Sequence, residues 1–234
     1  MTTGVASSAA SPYALKTGRF SSHTLLLEQF PAPGRGRRVL DVGGGEGYMG
    51  RILSERGYRV TCIAGYGSRG DPFPPAVELI ETDLDFDSPK LDGAFAFLLC
   101  GDILEHLREP AVVLRRLGAR LEPGGRLVAS LPNSGHLYVR WNVLRGRFPL
   151  HPRGLFDRTH LHFFTWDGWK QVLTEGGWRV ETVQPTVVPV ELALPRWIGP
   201  VALAAFERLS YFLGRCWKTL FAYQFVVTAI PEEH

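Results

Sequence analysis

Residues 38–48 read Arg-Val-Leu-Asp-Val-Gly-Gly-Gly-Glu-Gly-Tyr, and this stretch decides the fold. Its first part, mostly apolar with one acid, predicts a short buried strand, and a helical pattern begins near Tyr48. A strand, a glycine turn and a helix let the backbone approach a ligand closely while helix amides point at it. Asp41 is costly to bury unless it has a partner. The stretch therefore predicts a nucleotide-like cofactor site, with a ligand-free tight turn as the alternative.

The composition is that of an ordinary globular protein. Hydrophobic residues make up 45% and charged residues 21% of the 234 residues, enough for one domain with its own core. The formal net charge is +3 and the Arg residues are scattered, so we expect no nucleic-acid partner. The three cysteines lack metal-ligand spacing, which predicts no metal site and reduced thiols in the cytoplasm. We see neither a signal peptide nor an apolar run long enough to span a membrane.

Apolar runs alternate with helical patterns along the chain. They predict strands at 39–42, 58–64, 77–82, 92–100, 126–131, 178–183 and 221–230. This alternation predicts an α/β fold with a doubly wound, mostly parallel, seven-stranded Rossmann-like sheet and helices on both faces. An apolar helical insertion is expected at 195–220, before the last strand, and a tail with one helix at 1–36. The main domain then spans 37–234.

Three further segments accompany the glycine stretch. They read Ile-Leu-Glu-His-Leu at 103–107, Leu-Glu-Pro-Gly-Gly-Arg-Leu at 121–127 and Leu-Phe-Asp-Arg-Thr-His-Leu-His-Phe-Phe-Thr at 155–165. In this order and spacing the chain resembles the class I S-adenosylmethionine-dependent methyltransferases, and the last segment resembles their small-molecule, ubiquinone-biosynthesis-type group. The resemblance covers roughly residues 37–185. It implies S-adenosylmethionine as the cofactor and a small-molecule acceptor, without fixing that acceptor.

Ligands of such sheets bind beyond the carboxyl ends of the strands. Asp41 can accept a hydrogen bond from the cofactor ammonium, directly or through water. The resemblance implies that Asp83 accepts from the adenine amino group and that Leu84 covers the ring, with a turn cap as the alternative for Asp83. The predicted cofactor-binding residues are Asp41, Gly43, Gly44, Gly45, Gly47, Ala64, Asp83, Leu84 and Cys100.

Ala64 departs from the family pattern. The superfamily usually has an acidic residue at the end of the second strand, where it accepts from both ribose hydroxyls. A buried diol without an acceptor costs about 1–3 kcal/mol. Substitutes open from the sequence are Glu46, Tyr66 and Ser68. A weakened or lost cofactor site remains open as well.

Histidines supply the candidate general bases. Histidine titrates near neutral pH and can take a proton from an acceptor hydroxyl. We rank His160 first, then His106, then His162, with a structural hydrogen-bonding role as the alternative for each. This choice favours methyl transfer to oxygen.

The segment 133–165 is expected to shape the acceptor pocket. Tyr138 and Trp141 would give apolar walls, and Arg158 would bind an anionic group of the acceptor, with a solvated basic loop as the alternative. An anionic or lipid-linked acceptor is therefore open. The apolar segment 195–220 is expected to form a lid or a homodimer interface, with peripheral membrane contact as a third alternative.

The sequence thus favours an enzyme that moves a methyl group from S-adenosylmethionine to a small molecule. The alternative is a non-catalytic binding or scaffold domain with a degenerate cofactor site, motivated by Ala64. A dinucleotide-dependent oxidoreductase is disfavoured because Asp41 precedes the glycines and no acid ends the second strand.

Overall fold

The computed structural model describes residues 15–16, 18–67, 73–189 and 199–232. Residues 1–14 and 17 of the predicted N-terminal tail, Ser68 and residues 195–198 of the predicted insertion lie outside the described residues. Among the described residues, no helix is both long and apolar enough to cross a membrane.

Seven strands form the centre of the fold. They are β1 (Arg38–Val42), β2 (Arg59–Ala64), β3 (Val77–Glu81), β4 (Phe95–Gly101), β5 (Leu121–Pro132), β6 (Trp178–Pro185) and β7 (Gln224–Pro231). The helices are α1 (Ser22–Glu28), α2 (Tyr48–Glu55), α3 (Pro110–Gly118), α4 (Leu137–Leu144), α5 (Trp166–Glu175), α6 (Pro200–Cys216) and α7 (Lys218–Phe221). A 3-10 turn spans Leu104–His106.

The strands form one sheet in the order β3-β2-β1-β4-β5-β7-β6. Strands β1 to β5 pair in parallel, whereas β7 runs antiparallel to both β5 and β6. The predicted doubly wound, mostly parallel sheet is confirmed. The strand order reverses between β1 and β4, and such a switch point opens a crevice at the carboxyl ends of the strands.

Helices cover both faces of this sheet. One buried cluster lies under α3 and α5 and includes Leu98 and Trp169. The other lies under α1 and α2 and includes Leu26, Leu53 and Phe97. Both clusters are anchored on alternate residues of β1 and β4, because successive strand side chains point to opposite faces. The central strands are therefore buried on both sides, as their apolar sequence predicts.

Two local predictions differ from the structure. We expected β5 to begin at Arg126 after a turn, but it begins at Leu121. The register pairs Phe95 with Leu121 and Phe97 with Arg126, so the extra residues between them form an irregularity in the ladder rather than a loop. Segment 133–165 has an irregular apolar period in the sequence, yet it contains α4. Apolar residues occur on several sides of that helix, so the sequence lacks a clear helical period.

Trp169 provides a direct test of the core. Its side chain is 0% exposed and its Nε1–H donates to the Pro132 carbonyl at 2.7 Å. We expect Trp169→Ala to lower the free energy of unfolding by about 3–5 kcal/mol, because it leaves a cavity and an unpaired carbonyl. Val112, 53% exposed on α3, is the control, and Val112→Ala should cost less than about 0.5 kcal/mol. Equal losses in urea denaturation would contradict the assigned packing.

Candidate active site

The glycine turn after β1 packs against Asp41 of that strand and against Ile103, which follows β4. Gly43 and Gly47 have φ values of +81° and +68°, a region that favours glycine. A Cβ atom on Gly44 would lie 2.3 Å from Asp41 Oδ2, and one on Gly43 would lie 2.6 Å from the Ile103 side chain. The Gly47 N–H donates to the Gly44 carbonyl at 2.7 Å and closes the turn before α2. Side chains at these positions would push the turn off the strand ends.

Asp41 lies beneath this turn with an incomplete set of partners. It is 2% exposed, and its Oδ2 atom has no hydrogen-bond partner among the described residues. Burial raises the pKa of its carboxyl group to about 7. A desolvated carboxyl group of this kind favours a cationic partner, because a nearby positive charge restores the ionised form. The sequence pointed to Asp41 for this reason.

The carboxylate of Asp102, at the end of β4, has hydrogen-bond donors within the protein. Its carboxylate accepts from Lys16 Nζ at 2.8 Å, Ser130 Oγ at 2.5 Å and Gln224 Nε2 at 2.8 Å. Burial alone would raise the pKa of Asp102, but the Lys16 ammonium and these hydrogen bonds hold that pKa well below its usual range. Our sequence reasoning missed this residue, although an acid near the end of an apolar strand is the signal that marked Asp41.

A second unpaired carboxyl group lies in the turn after β4. Glu105 is 1% exposed, and its Oε2 atom has no partner among the described residues. Its Oε1 atom is 3.8 Å from His160 Nε2, a contact too long for a hydrogen bond. Burial raises the pKa of Glu105 well above its usual value and lowers the pKa of His160 to about 4. Burial therefore favours the neutral form of both groups.

His106 joins this pair. Its Nδ1 atom is 3.1 Å from the Thr159 carbonyl, and its ring meets the His160 ring edge-on at 4.9 Å. Glu105, His106 and His160 each offer a ligand atom, and these atoms lie within 4.8 Å of one another. Such a set could hold a divalent ion. The sequence spacing did not indicate it because the residues come from two distant segments, and the absence of a metal site stays a prediction.

His162 is placed differently from the other two histidines. Its Nε2 atom is 2.9 Å from the Leu107 carbonyl and 3.2 Å from the Arg108 carbonyl. Its ring stacks on Phe164 with a centroid distance of 4.9 Å. These contacts tie the segment after His160 to the 3-10 turn, which is the structural role that we kept open for each histidine.

The other predicted cofactor residues sit at the edge formed by β2, β3 and β4. Asp83 follows β3, and its Oδ1 atom accepts from the Asp85 amide at 3.0 Å, which is the turn-cap alternative. Leu84 and Cys100 are 7% and 0% exposed. Their side chains belong to the core, so what they can offer a ligand at this edge is backbone. Ala64 is buried at the end of β2, and Gly45 lies in the glycine turn.

The structure brings a row of aromatic rings from α4 towards His160. Tyr138 contacts Phe156, Phe148 contacts both Phe156 and Phe163, and Phe163 contacts His160, with ring centroids 4.9 to 5.9 Å apart. Trp141 is 50% exposed, and Arg158 is exposed near the same segment. Of the predicted acceptor residues, Tyr138 therefore belongs to this row, whereas Trp141 and Arg158 are exposed side chains of the same segment.

The fold is that of S-adenosylmethionine-dependent methyltransferases. A methyltransferase from Mesorhizobium loti superposes with a TM-score of 0.61 at 18% identity, covering 89% of this chain and 97% of its own. A 1,6-didemethyltoxoflavin-N1-methyltransferase from Burkholderia thailandensis, solved with bound S-adenosylhomocysteine, superposes with a TM-score of 0.55 at 17% identity, covering 91% and 77%. At these identities the likeness concerns the fold.

The family model described as a methyltransferase domain matches residues 17–183, and the chain belongs to this family of class I S-adenosylmethionine-dependent methyltransferases. It is 27% identical over 135 residues to a ubiquinone biosynthesis O-methyltransferase of Stutzerimonas stutzeri and 29% identical over 136 residues to one of Pseudomonas aeruginosa. Each match covers 52% of this chain and 56% of the relative. The chain thus spans about half the length of the curated relatives it matches.

The residues at the edge fit the cofactor of this family. S-adenosylmethionine carries an ammonium group, and the orphaned Asp41 oxygen under a glycine turn is a suitable acceptor for it. This fit rests on the chemistry of Asp41.

Asp41 makes the stability of the ligand-free protein depend on pH. Its carboxyl pKa is about 7 in the folded state and near 4 when unfolded, so the folded state holds the extra proton between these values. Stability therefore falls as pH rises from 4 to 7 and then levels off. We expect Asp41→Asn to gain up to about 4 kcal/mol over the wild type at pH 8 and far less at pH 4.5, measured by urea unfolding.

Asp167→Asn is the control because Asp167 has a side chain 81% exposed. Its effect should be small at both pH values. An Asp41→Asn gain of the same size at pH 4.5 and pH 8 would show that the carboxyl group is ionised throughout, against the assigned burial.

Proposed function

We propose that this chain transfers a methyl group from S-adenosylmethionine to an oxygen atom of a small-molecule acceptor. The observation that carries the proposal is the buried Asp41 carboxyl group under the glycine turn at the switch point of the sheet, whose Oδ2 atom has no hydrogen-bond partner among the described residues. Family membership supports the reaction class, and relatives named as O-methyltransferases support oxygen as the acceptor atom.

The glycine turn and the strand ends would hold the cofactor. Asp41 accepts from the ammonium group and is ionised by it, so binding releases a proton below pH 7. Gly43, Gly45 and Gly47 let the backbone lie against the ligand. Asp83 accepts from the adenine amino group through the oxygen that does not cap the turn, beside Leu84. When bound, the cofactor supplies an electrophilic methyl group on its sulfonium.

His160 would act as the general base. Its imidazole stays neutral at pH 7 because burial and the nearby His106 lower its pKa to about 4, so a nitrogen lone pair is available. The ring would take the hydroxyl proton of the acceptor, whose oxygen would receive the methyl group as the bond from that group to the cofactor sulfur breaks. Glu105 lies beside the ring at 3.8 Å and faces the positive charge that then forms on it. His106 is the second candidate at the same place.

The acceptor class is a proposal drawn from the surface around His160. The aromatic row offers stacking area, and Arg158 with the exposed Arg residues of segment 133–165 offers sites for an anion. An anionic acceptor with an aromatic or lipid-linked body fits both features.

Helix α6 makes up most of segment 195–220, for which we expected a lid, a homodimer interface or a peripheral membrane contact. On one side Tyr211 stacks on Phe20 with centroids 4.1 Å apart, which attaches the helix to the N-terminal segment as a lid would. On another side Val201, Leu209 and Phe212 are 84%, 57% and 61% exposed. A homodimer interface and a membrane contact are the two alternatives for this apolar side, and sedimentation velocity with and without lipid vesicles separates them.

A non-catalytic binding domain is the second candidate function, and Ala64 favours it. A site that lacks the usual carboxylate at the end of β2 has lost one of the groups that hold the ribose. The two candidates differ in whether the chain binds the cofactor and turns it over.

The first test is calorimetric titration with S-adenosylmethionine and S-adenosylhomocysteine. We expect binding, a rise in melting temperature by mass action, and a loss of affinity of tenfold or more in Asp41→Asn, because a charge-assisted hydrogen bond is lost. Asp167→Asn should bind like the wild type. Absence of heat and of any thermal shift at millimolar ligand would refute the enzyme proposal.

The second test addresses the base. We expect His160→Ala to lower turnover about 10²- to 10⁴-fold while S-adenosylhomocysteine affinity changes little. Turnover is followed as S-adenosylhomocysteine release over a panel of phenols and hydroxy acids. His162→Ala is the matched control. The His162 ring lies within hydrogen-bond distance of two backbone carbonyls, so its loss should affect stability more than turnover. A full rate in His160→Ala would remove this residue as the base.

A further inference from the structure

The position of Glu81 answers the problem raised by Ala64. Ala64 and Glu81 are partners in the register of β2 and β3, so they lie side by side at the ends of these strands. Neighbouring strands are about 4.8 Å apart, and in-register residues of parallel strands point to the same face. Glu81 is therefore one strand away from the place where the family usually has its carboxylate, and on the same face.

Contacts hold the Glu81 carboxylate towards the loop that follows β2. The Gly67 N–H donates to Glu81 Oε1 at 3.3 Å. The Tyr66 hydroxyl donates to Asp87 Oδ2 at 3.4 Å, which attaches the same loop to the turn after β3. Glu81 itself is exposed, so its carboxylate faces the edge of the sheet rather than the core.

Glu78 shows that this arrangement depends on the face. It lies three residues earlier on β3, so its side chain points to the opposite side of the sheet. There its Oε2 atom accepts from the Thr61 hydroxyl at 2.7 Å. The two glutamates share a strand and a charge, and Glu81 is the one in register with Ala64.

We propose that the Glu81 carboxylate binds the two ribose hydroxyls of the cofactor in place of an acid at position 64. A diol presents two donors, and a carboxylate can accept from both at once. This inference rests on the proposed function, because it places a residue in the same cofactor site. It goes beyond that function by assigning the ribose to a strand other than β2.

The test measures recognition of the ribose rather than turnover. Calorimetry gives the affinities of the full chain for S-adenosylhomocysteine and for its 2′-deoxy and 3′-deoxy derivatives. We expect the wild type to prefer the intact diol by about tenfold or more. In Glu81→Gln this preference should largely disappear, because affinity falls for the diol and little for the deoxy compounds. A merely structural role for Glu81 would weaken all three ligands alike.

Two matched variants sharpen the test. Glu78→Gln and Glu46→Gln should keep the preference for the diol. Adding Ala64→Asp to Glu81→Gln should restore it, because the carboxylate returns one strand away. A wild type that binds S-adenosylhomocysteine with a diol preference that Glu81→Gln leaves unchanged overturns this inference alone, as does a wild type that binds all three ligands equally. A wild type that binds none of them refutes the proposed function as well.

Discussion

The burial of carboxyl groups at one edge of the sheet is the constraint on which the site depends. Asp41, Glu105 and Asp157 are each no more than 2% exposed, and Asp102, directly after β4, has a side chain that is 23% exposed. An unpaired buried charge is costly. Each carboxyl group must therefore accept hydrogen bonds from donors, be protonated, or have its charge compensated by a ligand. Asp102 has Lys16, Ser130 and Gln224 as donors. Asp157 accepts from the amide and hydroxyl of Thr159.

Asp41 and Glu105 each have one buried oxygen without a hydrogen-bond partner among the described residues. This difference from Asp102 and Asp157 determines what each group can bind. Asp41 lies under a glycine turn in which a Cβ atom on Gly44 would be 2.3 Å from its Oδ2 atom, so only backbone covers the carboxyl group there. Glu105 Oε1 lies 3.8 Å from Nε2 of a neutral His160, so a proton or a positive charge can be shared by the two groups. One group therefore suits an ammonium ligand, and the other suits a base that gains charge during the reaction. Under the proposed function, the cofactor and the acceptor would occupy separate places along one edge.

Much of the fold followed from the sequence because its signals are local. The run from Val39 to Gly47 indicates a strand and a turn by itself, and seven apolar runs separated by helical patterns indicate a doubly wound sheet. The start of β5 was predicted wrongly, because Pro123 and two glycines usually end a strand, whereas here they fill an irregular part of the ladder. Helix α4 was missed because its apolar residues follow no regular helical period, and Val139 is its one buried residue.

The site was less accessible to sequence reasoning, because its contacts join distant segments. Asp41 and the glycines are contiguous, so their relation could be read directly. The meeting of Glu105 with His160 depends on a segment that returns more than 50 residues later, and the pairing of Ala64 with Glu81 depends on strand register. Asp102 was overlooked because nothing in the sequence indicates that Lys16 reaches it. Register and long-range pairing are set by the packed sheet, not by local pattern.

The most direct measurement is a crystal structure of the chain with S-adenosylhomocysteine. We predict that the ligand lies over the glycine turn, with its amino group within hydrogen-bond distance of the Asp41 carboxylate and its sulfur directed towards His160. A ligand bound elsewhere, or one bound here with Asp41 still unpartnered, would contradict it.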